Sequence, residues 1–103
     1  MCGTTISRVG DTIKEVLDQL AQGIAEAYPY MEIDGDAFVL NPDTKEARIY
    51  TLIWEPVVGD ITKSINWKEV GEGHNVGIAI EVTRAYGSKP KPDQWIGGIH
   101  LHI

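Results

Sequence analysis

The sequence predicts an α+β fold, in which one N-terminal amphipathic helix packs on a five- to six-stranded, mainly antiparallel meander sheet. Three observations lead to this prediction: one stretch with helical apolar spacing, several later runs with strand character, and short turns rich in glycine, proline and aspartate between those runs. Short turns join antiparallel strands, whereas parallel strands need long crossovers. At 103 residues, the chain is expected to form a single domain, 1–103.

The helix is predicted from apolar residues that recur at intervals of three and four, which place them on one helical face. Thr12 and Glu15 have the spacing of a capping box, and Gly10 weakens the preceding turn, so the helix starts either near Thr5 or at residues 11–12. Pro29 disfavours helical geometry just before it and marks the end. The residues of the apolar face are Ile6, Val9, Ile13, Val16, Leu17, Leu20, Ile24 and Tyr28.

The next segments have the composition of strands. Residues 31–33 and 37–40 flank an Asp-Gly-Asp sequence at 34–36, which predicts a hairpin turn there. Residues 41–46 form a second predicted turn, and the run 47–54 after it is rich in β-branched and aromatic residues. This run is expected to be among the most buried strands and to end before Pro56.

The last part of the chain predicts one more hairpin and a terminal strand. Residues 64–70 and 75–86 are the expected arms around a glycine-containing loop at 71–74. The terminal strand covers residues 95–103, and Gly97 and Gly98 within it predict a β-bulge. The alternative is that another chain packs against these glycines, in which case the terminal strand is an edge.

Alternation along the terminal strand places Ile99, Leu101 and Ile103 on one face and both histidines on the other. Two imidazoles on one side of a strand can reach the same ion, and His74 could supply a third ligand from its loop. This pattern supports a divalent metal such as zinc, bound by His74, His100 and His102. Glu55 or Glu81 could complete the site or act as a general base. We favour the other interpretation, in which these histidines lie on the surface or at an interface.

Composition limits the possible partners. The chain has 15 acidic and 9 basic residues and a formal net charge of -6, which argues against nucleic acids and anionic membranes and favours a basic protein. No apolar run approaches the roughly 20 residues of a membrane helix, and the first residues lack the features of a secretory signal. We therefore expect a cytoplasmic protein. Cys2 is the only cysteine, which excludes an internal disulfide.

Ring-bearing side chains are more numerous than one helix can cover, and such surfaces are typical of binding or oligomer interfaces. No serine has a nucleophile motif around it, so no catalytic residue is assigned. We therefore predict a non-catalytic protein-binding or assembly module, such as an inhibitor, an immunity-type protein or a subunit of a phage-like particle, with no cofactor. The alternative is a small His-centred metal-dependent enzyme or a small-ligand-binding protein with a deep apolar cavity. The predicted interface residues are Trp54, Trp67, Trp95, His100 and His102.

Overall fold

The computed structural model describes residues 4–29, 33–55, 59, 61–73 and 91–102. Its elements, in chain order, are strand β1 (Thr4–Gly10), helix α1 (Ile13–Ala27), β2 (Asp34–Leu40), β3 (Ala47–Trp54), a 3-10 turn at Ile61–Ser64, β4 (Ile65–Gly73) and β5 (Trp95–His102). The strands form a sheet of order β1-β5-β2-β3-β4, and each pairing between them is antiparallel. The predicted α+β class with an antiparallel sheet is confirmed. It is not a simple meander, because β5 lies between β1 and β2.

Helix α1 starts at the later of the two predicted positions. Thr12 is its N-cap with extended backbone (φ -134, ψ 160), and the Oγ1 of Thr12 accepts a hydrogen bond from the Glu15 amide at 3.1 Å. The Glu15 carboxylate in turn accepts from the Asp11 amide at 2.8 Å. This reciprocal capping fixes the first turn, and the helix ends before Pro29 as predicted.

Ile6 and Val9 are not on the helix, because residues 4–10 form β1 and pair with β5. Their spacing of three is compatible with a helix, but the segment is also rich in β-branched residues, which favour strands. The backbone hydrogen bonds that β5 offers to this segment stabilise the strand conformation over the helix. The helix is therefore preceded by a strand and is not strictly N-terminal.

The predicted hairpin turn at 34–36 is wrong, because these residues lie inside β2. Gly35 is opposite Leu101 of β5, and a β-carbon on Gly35 would lie only 2.8 Å from the carbonyl oxygen of His100. Glycine is needed here for the close approach of another strand and not for a turn. Residues 31 and 32 of the predicted first arm are outside the described part of the chain.

The predicted turn at 41–46 is confirmed, and it joins β2 to β3. Asn41 is 4% exposed, and its Oδ1 accepts hydrogen bonds from the Asp43 amide at 2.9 Å and the Thr44 amide at 3.2 Å. Lys45 has a positive φ of 63.

Strand β3 has the predicted bounds, but it is not among the most buried strands, because only Ala47 and Leu52 in it are buried. The helix lies over other strands, as described below.

Strand β4 continues through the glycines that predicted a loop, so residues 71–73 are strand and the turn interpretation of Gly71 and Gly73 is wrong. Gly71 is opposite Ile49 whereas Glu69 is opposite Tyr50, so the register shifts at this point and Val70 forms a bulge. Val70 is 54% exposed. The predicted second arm, residues 75–86, and His74 lie outside the described residues.

The terminal strand is confirmed as β5, with Ile103 beyond the described residues. It is not an edge, because β1 and β2 pair with its two sides. The predicted bulge at Gly97 and Gly98 is also wrong, since both pairings keep an unbroken register through these residues. Gly97 instead makes room for the helix: a β-carbon there would overlap Cγ1 of Val16.

The core lies between α1 and one face of the sheet. Ile99 and Leu101 of β5 are completely buried in it, as the alternation predicts. The helix packs mainly on β1 and β5 and touches the 3-10 turn at Ile61–Ser64. It therefore covers only one side of this sheet face. None of the described helices is long and apolar enough to cross a membrane.

Candidate binding groove

An aromatic face lies on the part of the sheet that α1 does not cover. The β3–β4 register pairs Leu52 with Trp67 and Trp54 with Ile65, and directly opposed residues share a face. Leu52 and Ile65 belong to the core cluster beneath the helix, so this is the helix side of the sheet. On β3 and β4, three ring-bearing side chains are only partly buried against that core: Tyr50, Trp54 and Trp67. We call these three residues the aromatic face.

A groove of about 460 Å³ runs beside Trp67, between α1 and the start of β4. Ala21 of the helix and Ile65 of the strand, each 6% exposed, provide its apolar floor. Asp18, Gln22 and Asn66 add polar groups to the lining. We call this feature the α1–β4 groove. Pockets that bind small molecules or side chains have volumes in this range.

The two walls of the groove follow from local sequence. Asp18, Ala21 and Gln22 are spaced by three and four residues, so they form one stripe along the helix beside the core-facing stripe. Ala21 has the shortest side chain of the three, which leaves room between helix and sheet. On the other wall, the Glu55 amide donates to the carbonyl of Ser64 at 2.8 Å, which holds the start of β4 beside the end of β3.

One acidic residue, Asp18, lines the groove, and it is paired with a lysine of the same helix. Lys14 Nζ lies 2.7 Å from Asp18 Oδ2, and both side chains are largely exposed, Asp18 by 65%. The hydrogen bond to Asp18 and the charge of that carboxylate raise the pKa of Lys14 above its usual value. Near the other wall, Asn66 Nδ2 donates to Glu55 Oε2 at 3.5 Å.

Glu69 interacts with two side chains at the Tyr50 end of the aromatic face. Its Oε1 accepts a hydrogen bond from the Tyr50 hydroxyl at 3.2 Å and lies 3.5 Å from Nε of Arg48. Partial burial raises the pKa of the Tyr50 hydroxyl, the negative charge and hydrogen bond of Glu69 raise it further, and Arg48 opposes them. The phenol is therefore kept neutral and acts as a hydrogen-bond donor.

The five predicted interface residues do not form one surface. Trp54 and Trp67 lie together on the aromatic face, whereas Trp95 is opposite Gly10 in the β1–β5 register and packs against the core near the start of α1. His100 is exposed and alternates with buried Ile99 and Leu101, so it lies on the sheet face opposite the helix. His102 is opposite Asp34 of β2 in the backbone register, and its side chain is outside the described part.

His100 has polar neighbours on its face. It is opposite Asp36 in the β2–β5 register, and Asp36 Oδ1 accepts a hydrogen bond from the Thr51 hydroxyl at 3.2 Å. Among the described residues, however, no three histidine, cysteine or acidic side chains are grouped to hold a metal ion. His74 and Glu81 lie outside this part of the chain, and Glu55 interacts with Asn66 beside the groove.

The helical wall of the groove was missed by sequence reasoning. Asp18, Ala21 and Gln22 have no unusual motif and are typical of the border of any amphipathic helix. A short alanine between two polar residues, on the side of the helix that faces the tryptophan-bearing strands, is the only available signal. It becomes informative only when the position of the helix on the sheet is known.

Comparisons with protein families, curated proteins and solved structures found no match to this chain. Two features of the chain itself bear on its function: the aromatic face with the adjoining α1–β4 groove, and the net charge of -6.

Proposed function

We propose that this chain is a non-catalytic protein-binding or assembly module, which binds a partner protein through the aromatic face and the α1–β4 groove. The observation that carries the proposal is the position of α1 over β1 and β5, which leaves Tyr50, Trp54 and Trp67 partly exposed beside a groove of about 460 Å³. Tryptophan and tyrosine are enriched among the residues that dominate binding energy at protein interfaces.

The charge of the chain indicates the kind of partner. A net charge of -6 attracts basic proteins and accelerates their association, whereas it repels nucleic acids and anionic membranes. An inhibitor, an immunity-type protein or a subunit of a larger assembly could each use such a surface. We place this binding in the cytoplasm, where cysteines stay reduced. A chain with a single cysteine, which cannot form an internal disulfide, is compatible with that compartment.

The chemistry of the groove favours a protein side chain over an apolar small molecule. Three of its six lining residues are polar, namely Asp18, Gln22 and Asn66. A site for an apolar ligand is expected to be deep and mostly lined by hydrophobic groups. The lining contains no nucleophile next to a base, which is the arrangement that covalent catalysis requires.

Site-specific photo-crosslinking tests the proposal. A photoreactive amino acid is introduced at exposed Gln22, which lines the groove, and at exposed Lys91, which does not line it, and the full chain is irradiated in an extract of its source cells. We expect the Gln22 position to yield a defined protein adduct, with this chain itself or with a basic protein, that the Lys91 position does not yield.

The crosslinked protein is then purified and its affinity measured directly, because capture alone does not establish a specific complex. Trp67→Ala is expected to weaken binding at least tenfold, while Trp95→Leu changes it less than threefold, because Trp95 does not line the groove. Circular dichroism verifies that both variants are folded. A strictly monomeric chain with equal crosslinking at both positions would reject the proposal.

A further inference from the structure

We propose that the α1–β4 groove is an arginine-recognition site, which takes the guanidinium group of a partner protein's side chain. This inference rests on the proposed function and specifies the chemistry of the partner. Its elements are the half-buried Trp67, the exposed Asp18 carboxylate, the side-chain amide of Gln22 and an apolar floor, all at the same groove.

Trp67 supplies the stacking surface. Its side chain is partly buried against the core, opposite Leu52, and the residue lines the groove. A planar guanidinium stacks on an indole by cation–π attraction, and tryptophan is the best aromatic partner for this interaction. A lysine ammonium is more strongly hydrated and lacks the planar shape, so arginine fits this surface better.

Asp18 supplies the counter-charge on the opposite wall. Its carboxylate lines the groove and is largely exposed, and a guanidinium can donate two parallel hydrogen bonds to such a group. Gln22 is one turn further along the helix and presents a second oxygen acceptor. Asn66 also lines the groove, but strand alternation places its side chain on the opposite face of the sheet, where its amide nitrogen donates to Glu55.

The floor accommodates the rest of an arginine. Ala21 and Ile65 are buried apolar residues between the two polar walls, and the three methylene groups of an arginine can pack on them while the charged end reaches the carboxylate. The charge of the site favours a cation, because the Asp18 carboxylate is at the groove and the chain carries a net charge of -6.

A cation of the chain itself already interacts with this site. Lys14 Nζ is 2.7 Å from Asp18 Oδ2, in an exposed pair one helical turn apart. Exposed pairs of this kind contribute little and are readily exchanged, so an arriving guanidinium can displace Lys14. Lys14 is therefore a competitor for the carboxylate, and removing its charge should strengthen arginine binding.

Peptide titrations of the isotope-labelled full chain, followed by NMR, test the inference. The probes are blocked tetrapeptides Gly-Arg-Arg-Gly, the same peptide with lysine, and the same peptide with citrulline, which keeps the shape of arginine without its charge. We expect the arginine peptide to shift the indole N–H resonance of Trp67 and the amides of Ala21 and Gln22. Its affinity should exceed that of the citrulline peptide at least tenfold and that of the lysine peptide at least threefold.

Three charge variants identify the role of Asp18. Asp18→Asn is expected to weaken arginine binding at least fivefold, whereas Glu26→Gln, which makes the same charge change at an exposed residue of α1 outside the groove, changes it less than twofold. Lys14→Gln is expected to strengthen it at least twofold. Equal effects of Asp18→Asn and Glu26→Gln, or equal affinities for the arginine and citrulline peptides, would overturn the inference.

The failure of this inference is distinguishable from failure of the proposed function. If the protein crosslinked at position 22 binds in a Trp67-dependent manner but the chain binds the arginine and citrulline peptides equally, the binding module stands and the arginine site is rejected. Trp67→Phe provides a further check, because it keeps an apolar ring in place and should retain more arginine binding than Trp67→Ala.

Discussion

Val16 of α1 lies directly above Gly97 of β5, so close that the Cγ1 of Val16 occupies the space that a β-carbon on Gly97 would need. Val16 is completely buried, and it cannot move outward without opening the core beneath the helix. The absence of a side chain at residue 97 therefore sets the distance between helix and sheet. It also sets the position of the helical wall of the groove, which belongs to the same α1.

Replacing Gly97 with alanine tests this contact. We expect Gly97→Ala to lower the free energy of unfolding by about 1–3 kcal/mol, because an added methyl overpacks the core. The matched control is Gly98→Ala, where the nearest atom to the new β-carbon is the Ile6 carbonyl oxygen at an ordinary 3.8 Å. Urea denaturation followed by far-UV circular dichroism measures the free energy of unfolding of both variants. Equal stabilities of the two variants would show that the helix does not depend on Gly97.

A second close approach predicts the behaviour of Gly35. A β-carbon there would lie 2.8 Å from the His100 carbonyl oxygen, and backbone cannot yield as a flexible side chain can. We expect Gly35→Ala to cost about 1–3 kcal/mol of unfolding free energy. In Gly71→Ala, by contrast, the new β-carbon meets Ile49 Cδ1 at 3.5 Å and should fit. If the denaturation midpoints of Gly35→Ala and Gly71→Ala fall equally, the close approach of β5 to Gly35 is not the cause of the destabilisation.

Gly35 and Gly97 also illustrate which parts of the fold can be predicted from sequence and which cannot. Local signals identified the cap at Thr12, the turn at 41–46 and the bounds of β3 and β5, because neighbouring residues determine those features. The sequence predicts a turn at Gly35 and a bulge at Gly97, whereas the actual roles of these glycines depend on contacts with His100 and Val16, which are distant in sequence.

The same reasoning applies to β1 and to the groove. Strand β1 pairs with β5, some 90 residues further along the chain, and its apolar spacing alone is compatible with a helix. The partial exposure of Trp67 could be predicted, because the large aromatic side chains exceed what one helix can cover. The opposite wall of the groove could not be predicted, because Asp18 and Ala21 line a groove only through the position of α1 over β1 and β5.

Asn41 is expected to be the most sensitive polar residue of the β2–β3 turn. It is buried, and its Oδ1 is the acceptor for the amides of Asp43 and Thr44. Asn41→Ala leaves both amides without this acceptor and should cost about 1–3 kcal/mol of unfolding free energy. Asn41→Asp keeps the acceptor and is the comparison, measured by thermal unfolding. An Asp variant as unstable as the Ala variant would indicate that burial, and not the hydrogen bonds, governs this position.

The Tyr50–Glu69 pair predicts that the stability of the fold depends on pH. Burial and then the charge and hydrogen bond of Glu69 raise the pKa of Tyr50 above its usual value of 10.0. The unfolded chain therefore loses this proton at lower pH than the folded chain, so the stabilisation is present below pH 10 and is lost as the pH rises through the folded pKa. NMR titration of labelled Tyr50 should show the pKa fall towards 10.0 in Glu69→Gln. An unchanged pKa in that variant would exclude Glu69 as a cause.

Removal of residues 99–103 should unfold the protein. Ile99 and Leu101 are completely buried, and burying each side chain contributes about 1.5–3 kcal/mol. The truncation also removes part of a central strand, so β1 and β2 lose backbone partners at the same time. Small domains have a total stability of about 5–15 kcal/mol, and the combined loss approaches it. We expect the truncated chain to lack a cooperative thermal transition, whereas His100→Ala, at an exposed position of the same strand, retains one. A truncated chain that still unfolds cooperatively would mean that β5 is not required beyond Gly98.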